Sequence, residues 1–393
     1  MSQENYRLSG PLANSGKGFL AVAVLGLVGC VYSYMHNTQE FFSSYLTAFV
    51  FFMCVSLGSL FFVMVHHLAK SGWNVTVRRI AENIAANLPW MALLFIPLLF
   101  GISELFYWTH PDVRAVDKLI QSKSAYLNLP FFLIRAVFYF IVWTFLGRFF
   151  LMTSVKQDET GDATLTDKMA KYSTFGMILF ALTQTFFIFD WVMSIDAHWY
   201  STMFGVYYFA GSVVCAYALL IIISYILRQT GNLKESINIE HYHDLGKLMF
   251  GHNVFWTYVG FSQFMLIWYT NIPEETLFFH HRAVGSWKVI SLMLPWCHFA
   301  IPFVFLMSRN VKRCLPLLVT GATWLVVMCF IDIYWLVQPN FHPEGAHFGV
   351  SDVSSLFFVG GVFVFLFLNR LKKYPLIPIK DPRLPQCLNY DNG

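Results

Sequence analysis

The sequence predicts an all-α, polytopic membrane protein with about ten transmembrane helices, arranged as two consecutive four-helix bundles plus two peripheral helices. Three observations carry this reading. Of 393 residues, 57% are apolar and only 12% are charged, about half the charge of an ordinary soluble domain. Apolar stretches of roughly 20 residues, the length that crosses a bilayer, recur along the whole chain. The basic residues fall unevenly on the two sides that these stretches define.

In chain order the spans are predicted at 18–34, 45–68, 88–108, 127–150, 173–193, 202–227, 248–270, 289–307, 314–336 and 353–371. Residues 1–17 are polar, and no small-residue cleavage site follows the first apolar run, which therefore reads as a retained span. A short polar turn separates 173–193 from 202–227, and the merged segment would be too long for one helix. Spans 2–5 and 6–9 form the two bundles. The tail 372–393 carries Pro375, Pro378, Pro382 and Pro385 and cannot continue a helix. It reads as a cytoplasmic strap, with a neighbouring subunit as one surface it can lie on.

Ten spans put both termini on one side. Of the 26 Lys and Arg residues, 20 fall on that side; only Arg114, Lys118, Lys123, Arg282 and Lys288 lie opposite, and Arg135 lies inside span 4. This asymmetry predicts cytoplasmic termini. Nucleic-acid binding needs a basic face or motif, and the sequence has neither. The seven cysteines form no CxxC pair, no CxxCH haem attachment and no four-Cys run, so an iron–sulfur cluster or c-type haem belongs to a partner. Within apolar runs they act as small hydrophobes.

A charge inside a span costs about 2.5–3.5 kcal/mol on insertion scales, so each one needs a reason. Glu104, Arg135 and Asp190 lie in the outer halves of spans 3, 4 and 5, with Asp196 and His198 just above. One reading is a structural ion pair that fixes helix packing. The other is a polar pocket near the outer face, suited to a quinone headgroup and the protons it exchanges. One arginine neutralises only one of two carboxylates, so the second must stay protonated or reach water or a partner.

The second half repeats this more sparsely. His252, His298 and Asp332 step from the inner towards the outer end of spans 7, 8 and 9, as a proton relay would. The alternative is a set of satisfied core residues. Pro302 has no N–H to give the His298 carbonyl four positions earlier, which predicts a free acceptor in mid-membrane. Phe187-Ile188 before Asp190-Trp191 matches Phe330-Ile331 before Asp332 and Trp335, at equivalent helices of the two bundles. Integral haem needs facing histidines at matched depth, and the thirteen histidines supply no such pairs.

The runs Trp90-Met91-Ala92, Ile102-Ser103-Glu104, Trp108-Thr109-His110-Pro111, Tyr126-Leu127-Asn128 and Phe189-Asp190-Trp191-Val192-Met193-Ser194 carry a family resemblance over essentially the whole chain. The sequence resembles the NrfD/PsrC-like membrane anchors, and within them the ActF family, the shorter of two such subunits in bacterial alternative complex III. That resemblance implies a bacterial inner-membrane subunit of a respiratory quinol:cytochrome c, or quinol:acceptor, oxidoreductase. Implied partners are a periplasmic iron–sulfur subunit, a multihaem cytochrome c, a longer ActC-like paralogue and a terminal oxidase, together with lipids. Menaquinone or ubiquinone is the implied ligand, with haem and iron–sulfur centres on the partners and none bound covalently here. Glu104, Arg135, Asp190, Asp196 and His198 are the positions matched to the family's outer pocket. Two other functions stand beside this one: a purely structural anchor, and a secondary transporter. Transporters break helices at symmetric positions, whereas Pro97, Pro295 and Pro302 do not pair across the halves.

Overall fold

A computed structural model describes residues 6–391. These residues form helices and connecting turns, with no strand among them. The first half contains α1 (Gly16–His36), α2 (Thr38–Leu68), α3 (Val75–Ala85), α4 (Leu88–Phe100), α5 (Leu129–Thr160) and α6 (Thr164–Trp191). The second contains α7 (Phe204–Gln229), α8 (Ile239–Thr270), α9 (Pro273–His281), α10 (Trp287–Met293), α11 (Ile301–Met307), α12 (Leu315–Val337), α13 (Val350–Leu371) and α14 (Leu384–Leu388). A π-helical stretch, Leu294–Ala300, joins α10 to α11.

Nine helical segments among the described residues are long and apolar enough to cross a membrane. The tenth expected span lies in α8, which has 32 residues and packs along α7. Its length suffices, but the face it buries carries Asn253, Trp256 and Gln263, so it is too polar to count by composition alone. The first bundle is α2, α3–α4, α5 and α6, and the second is α7, α8, α10–α11 and α12. The peripheral pair is α1 and α13, which lie along each other and against α2. Helix α2 also packs on α7 and so holds the two bundles together. Their backbones nearly touch at Gly58, where a Cβ would come 2.0 Å from the Ser212 carbonyl oxygen. Small residues permit such close crossings.

Both ends of the described chain lie on one face, since the Leu376 N–H donates to the Tyr6 carbonyl at 2.7 Å. This terminal face also holds the α5–α6 and α7–α8 connections; the opposite face is called distal. The strap runs back over the protein's own terminal face. Arg78 on α3 pairs with Asp381 at 2.6 Å, Arg79 pairs with Asp158 at 2.7 Å, and Glu82 lies 3.2 and 3.0 Å from the two arginines. Further along, Tyr390 donates to Asp244 at 2.6 Å, and Asn238 donates to the Tyr390 carbonyl at 2.8 Å. The strap thus ties α3 of the first bundle to the start of α8 in the second.

This clamp explains one displaced boundary. The third crossing occupies Val75–Phe100 rather than 88–108. Arg78, Arg79 and Glu82 make its first turns look like a loop in sequence, but they neutralise one another and the strap. The helix then ends before Glu104, with extended backbone at Phe106.

Candidate functional site

Two buried aspartates organise the two bundles, and their surroundings differ. Asp190 sits at the distal end of α6, fully buried. From α5, Arg135 grips it with two arms, Nε to Oδ2 at 2.8 Å and Nη2 to Oδ1 at 2.9 Å. Two helical positions fix this geometry, because Tyr139, one turn beyond Arg135, donates its hydroxyl to Oδ2 at 2.7 Å. The third arm of Arg135 donates to the Tyr126 carbonyl at 3.0 Å, and the guanidinium lies 3.9 Å from the Tyr126 ring centre. Both Asp190 oxygens and all three guanidinium nitrogens are occupied, while the buried Tyr126 hydroxyl has no protein partner. Such a bidentate pair is strong and geometrically specific.

The remaining first-bundle positions lie elsewhere. Glu104 is exposed in a short turn beyond α4 and makes no hydrogen bond with the Arg135–Asp190 pair, so the expected three-way meeting is a two-way one. His198 Nε2 lies 2.7 Å from Asp117 Oδ2, and the His198 N–H donates to Asp196 at 3.1 Å. These groups form a separate cluster on the distal loops. The Ile120 N–H, with the His198 ring and the Leu119 N–H, holds the Asp117 carboxyl below its usual range against the opposing effect of desolvation.

Asp332 sits one turn from the end of α12 and is 4% exposed. Tyr207 on α7 donates to Oδ1 at 2.5 Å, and Trp256 Nε1 on α8 donates to Oδ2 at 3.2 Å. No arginine or lysine forms an ion pair with it among the described residues. Asp332 can therefore take up or release a proton without breaking an ion pair, which Asp190 cannot do.

His298 lies directly behind. Its ring centre is 3.8 Å from that of Trp256, and its Nε2 is 3.8 Å from the Cys329 sulfur, one turn before Asp332. The prolyl effect occurs as expected: α10 widens into the π-helical stretch ahead of Pro302, and Asn253 Nδ2 donates to the freed His298 carbonyl at 2.9 Å. One turn before Trp256, His252 hydrogen-bonds the Leu248 carbonyl through Nδ1 at 2.8 Å. The three histidine and aspartate positions of the second half thus follow one line along α8. The unpartnered buried atoms Asn253 Oδ1, His298 Nδ1 and Gln263 Oε1 lie on or beside that line. Buried polar atoms without protein partners are what internal water satisfies.

The line has a cavity at each end. On the terminal side, His252 and Lys247 line a cavity of about 370 Å³ between α2, α7 and α8. On the distal side lies a larger one of about 590 Å³, lined by aromatic and aliphatic side chains together with Tyr207, Trp256, Gln263, Arg282 and Lys288. Its volume is that of a small-molecule site. None of the five first-bundle pocket positions lines it. Arg282 is fully buried there and donates to the carbonyls of Trp335, Phe278 and Leu336 at 3.1, 3.0 and 2.8 Å. Burial pulls its pKa down to about 9, which leaves it charged at neutral pH.

Tyr207, Trp256 and Gln263 carry no charge and look like ordinary span residues, so sequence reasoning passed over them; Arg282 reads there as a loop residue. Three scattered cysteines also converge where the bundles meet. Cys54, Cys215 and Cys329 interact in series from α2 through α7 to α12. In comparison with known proteins, the chain matches no family model and no curated relative.

Proposed function

We propose that this chain is an integral membrane subunit of a respiratory quinol-oxidising complex, and that its second bundle exchanges protons between a quinone-type ligand and the terminal side. The observation that carries the reading is the double position of Tyr207. Its ring lines the distal cavity while its hydroxyl donates to Asp332. A proton arriving from a ligand in that cavity has a bonded route inward to a carboxylate with no cation to hold it.

Three features support a quinone-type occupant. The cavity is apolar and aromatic, with few polar groups, as such sites are. Gln263 Oε1 is buried without a partner and can accept from a ligand hydroxyl. Lys288 is exposed at the cavity wall and can donate to a ligand oxygen. Oxidation of a quinol to a quinone releases two protons and two electrons. Haem and iron–sulfur centres on the partner subunits that the resemblance implies would take the electrons, and the protons would pass one at a time through the Tyr207 hydroxyl to Asp332. From there His298, the water-demanding atoms beside it and His252 lead to the terminal cavity.

The test is quinol-dependent turnover of the purified complex carrying Asp332→Asn, which has the same shape, keeps one acceptor oxygen for the Trp256 N–H and can donate to the Tyr207 hydroxyl, but cannot exchange the proton. Removing a positioned acid–base group costs typically 10²- to 10⁴-fold, so a loss of about a hundredfold is expected. Unchanged turnover in an assembled complex contradicts the proposal. The anchor function is favoured by one observation only, the saturated Arg135–Asp190 pair, and we assign it to the first bundle.

A further inference from the structure

We propose that the terminal-side surface at the α3–α4 junction, flanked by α5 and α13, holds the phosphate of an anionic phospholipid between Arg148 and Arg370. This goes beyond the proton and quinone reading and does not depend on it.

Both arginines flank the same turn. Arg370 on α13 places Nη1 2.8 Å from the Asn83 carbonyl and 2.8 Å from Asn87 Oδ1, across the α3–α4 junction. Helix α5 abuts that junction at Gly147, where a Cβ would come 2.9 Å from the Ala85 carbonyl oxygen. Arg148 is the next residue. One turn further, Leu151 and Val155 pack with Ala86, and Tyr374 of the strap covers them. The titratable groups acting on Arg370 are Tyr374 and Arg148, and neither is a carboxylate. Neither arginine forms an ion pair among the described residues. The two like charges therefore act on each other across this junction, with no carboxylate of the described residues paired to either.

Their surroundings point to lipid. Ile141, Phe145, Arg148 and Met152 follow one face of α5 at helical spacing, and all four are exposed. Arg148 is thus a cation set in a stripe that faces acyl chains. It lies 19 residues beyond Leu129, the distal start of α5, about 29 Å along the axis. That is about the thickness of the hydrocarbon layer, so the guanidinium lies at headgroup level on the terminal side. On α4, Trp90, at the terminal end, followed by Leu93, Ile96 and Phe100, is exposed as well. These exposed apolar residues offer a track for an acyl chain. Basic pockets between helices on the cytoplasmic side bind anionic headgroups, and arginine matches phosphate oxygens with paired donors.

The experiment is native mass spectrometry of the purified protein, with any subunits that accompany it, after detergent delipidation and titration with phosphatidylglycerol or phosphatidylcholine. The wild type is expected to retain phosphatidylglycerol in preference to phosphatidylcholine. Arg148→Gln with Arg370→Gln should cut that retention about tenfold, and Arg148→Lys should keep most of it. Arg148→Gln alone leaves the buried contacts of Arg370 intact, so a reduced retention remains readable even where the double variant folds poorly. Equal retention of both lipids, or of phosphatidylglycerol by wild type and Arg148→Gln, overturns the proposal. Displacement by millimolar inorganic phosphate also overturns it, since that marks a soluble-anion site.

Discussion

The two bundles place an aspartate at comparable helix ends and treat it in opposite ways. Asp190 receives a bidentate arginine and a tyrosine hydroxyl, while Asp332 receives a tyrosine hydroxyl and an indole N–H and no cation among the described residues. The first arrangement fixes a charge in place. The second leaves a carboxylate whose charge can change, beside a cavity that can hold a reactant. The tyrosine is common to both, so the arginine decides between a rivet and a relay.

Four perturbations break or sharpen that contrast, taken from the largest effect to the smallest. Arg135→Gln should strand the Asp190 charge in the bundle. Removing one partner of a buried pair costs about 3–5 kcal/mol, so unfolding in a detergent series should shift by about that much. Adding Asp190→Asn should recover part of the loss, and turnover of the assembled fraction should stay within about twofold. Asp332→Asn should do the reverse, lowering quinol-dependent turnover about a hundredfold with a stability change of about 1 kcal/mol. Trp256→Phe removes one donor to Asp332 and should change turnover by only about threefold to tenfold, the scale of one hydrogen bond.

The smallest effect concerns the strap. Burial pushes the Asp381 carboxyl up, but the Arg78 charge and the hydrogen bonds from Arg78 and Arg383 outweigh it and hold it below the usual range. Its contribution to docking is therefore complete above the ordinary aspartate value near about 4 and is lost as pH falls through the lower folded value. Hydrogen exchange of residues 376–390, corrected for intrinsic rates, should accelerate only below that point, and Asp381→Asn should abolish the pH step.

Much of the architecture was legible because the bilayer imposes lengths on apolar runs. The Arg135–Asp190 pair was legible for a related reason: a charge in oil stands out and needs a partner. Pro302 likewise announced the free His298 carbonyl that Asn253 fills. Other features were hidden where chemistry and composition diverge. The start of α3 reads as a loop because its charges are cancelled within the helix, by Asp158 on α5 and by Asp381, 303 positions from Arg78 in the strap. Glu104 looks intramembrane only if the third span runs late, and the helix ends before it. The distal cavity was missed because Tyr207, Trp256 and Gln263 are unremarkable within apolar helices, and only packing gathers them around one space. Charge marks the first bundle in the sequence, yet there Arg135 and Asp190 already satisfy each other.

The most direct measurement is an infrared difference spectrum, recorded on quinol addition to the complex, in the region of protonated carboxyl stretches. The account expects a band that appears in the wild type, disappears in Asp332→Asn and persists in Asp190→Asn. A band that survives Asp332→Asn and vanishes in Asp190→Asn would contradict it, because the exchanging proton would then belong to the bundle that holds the arginine.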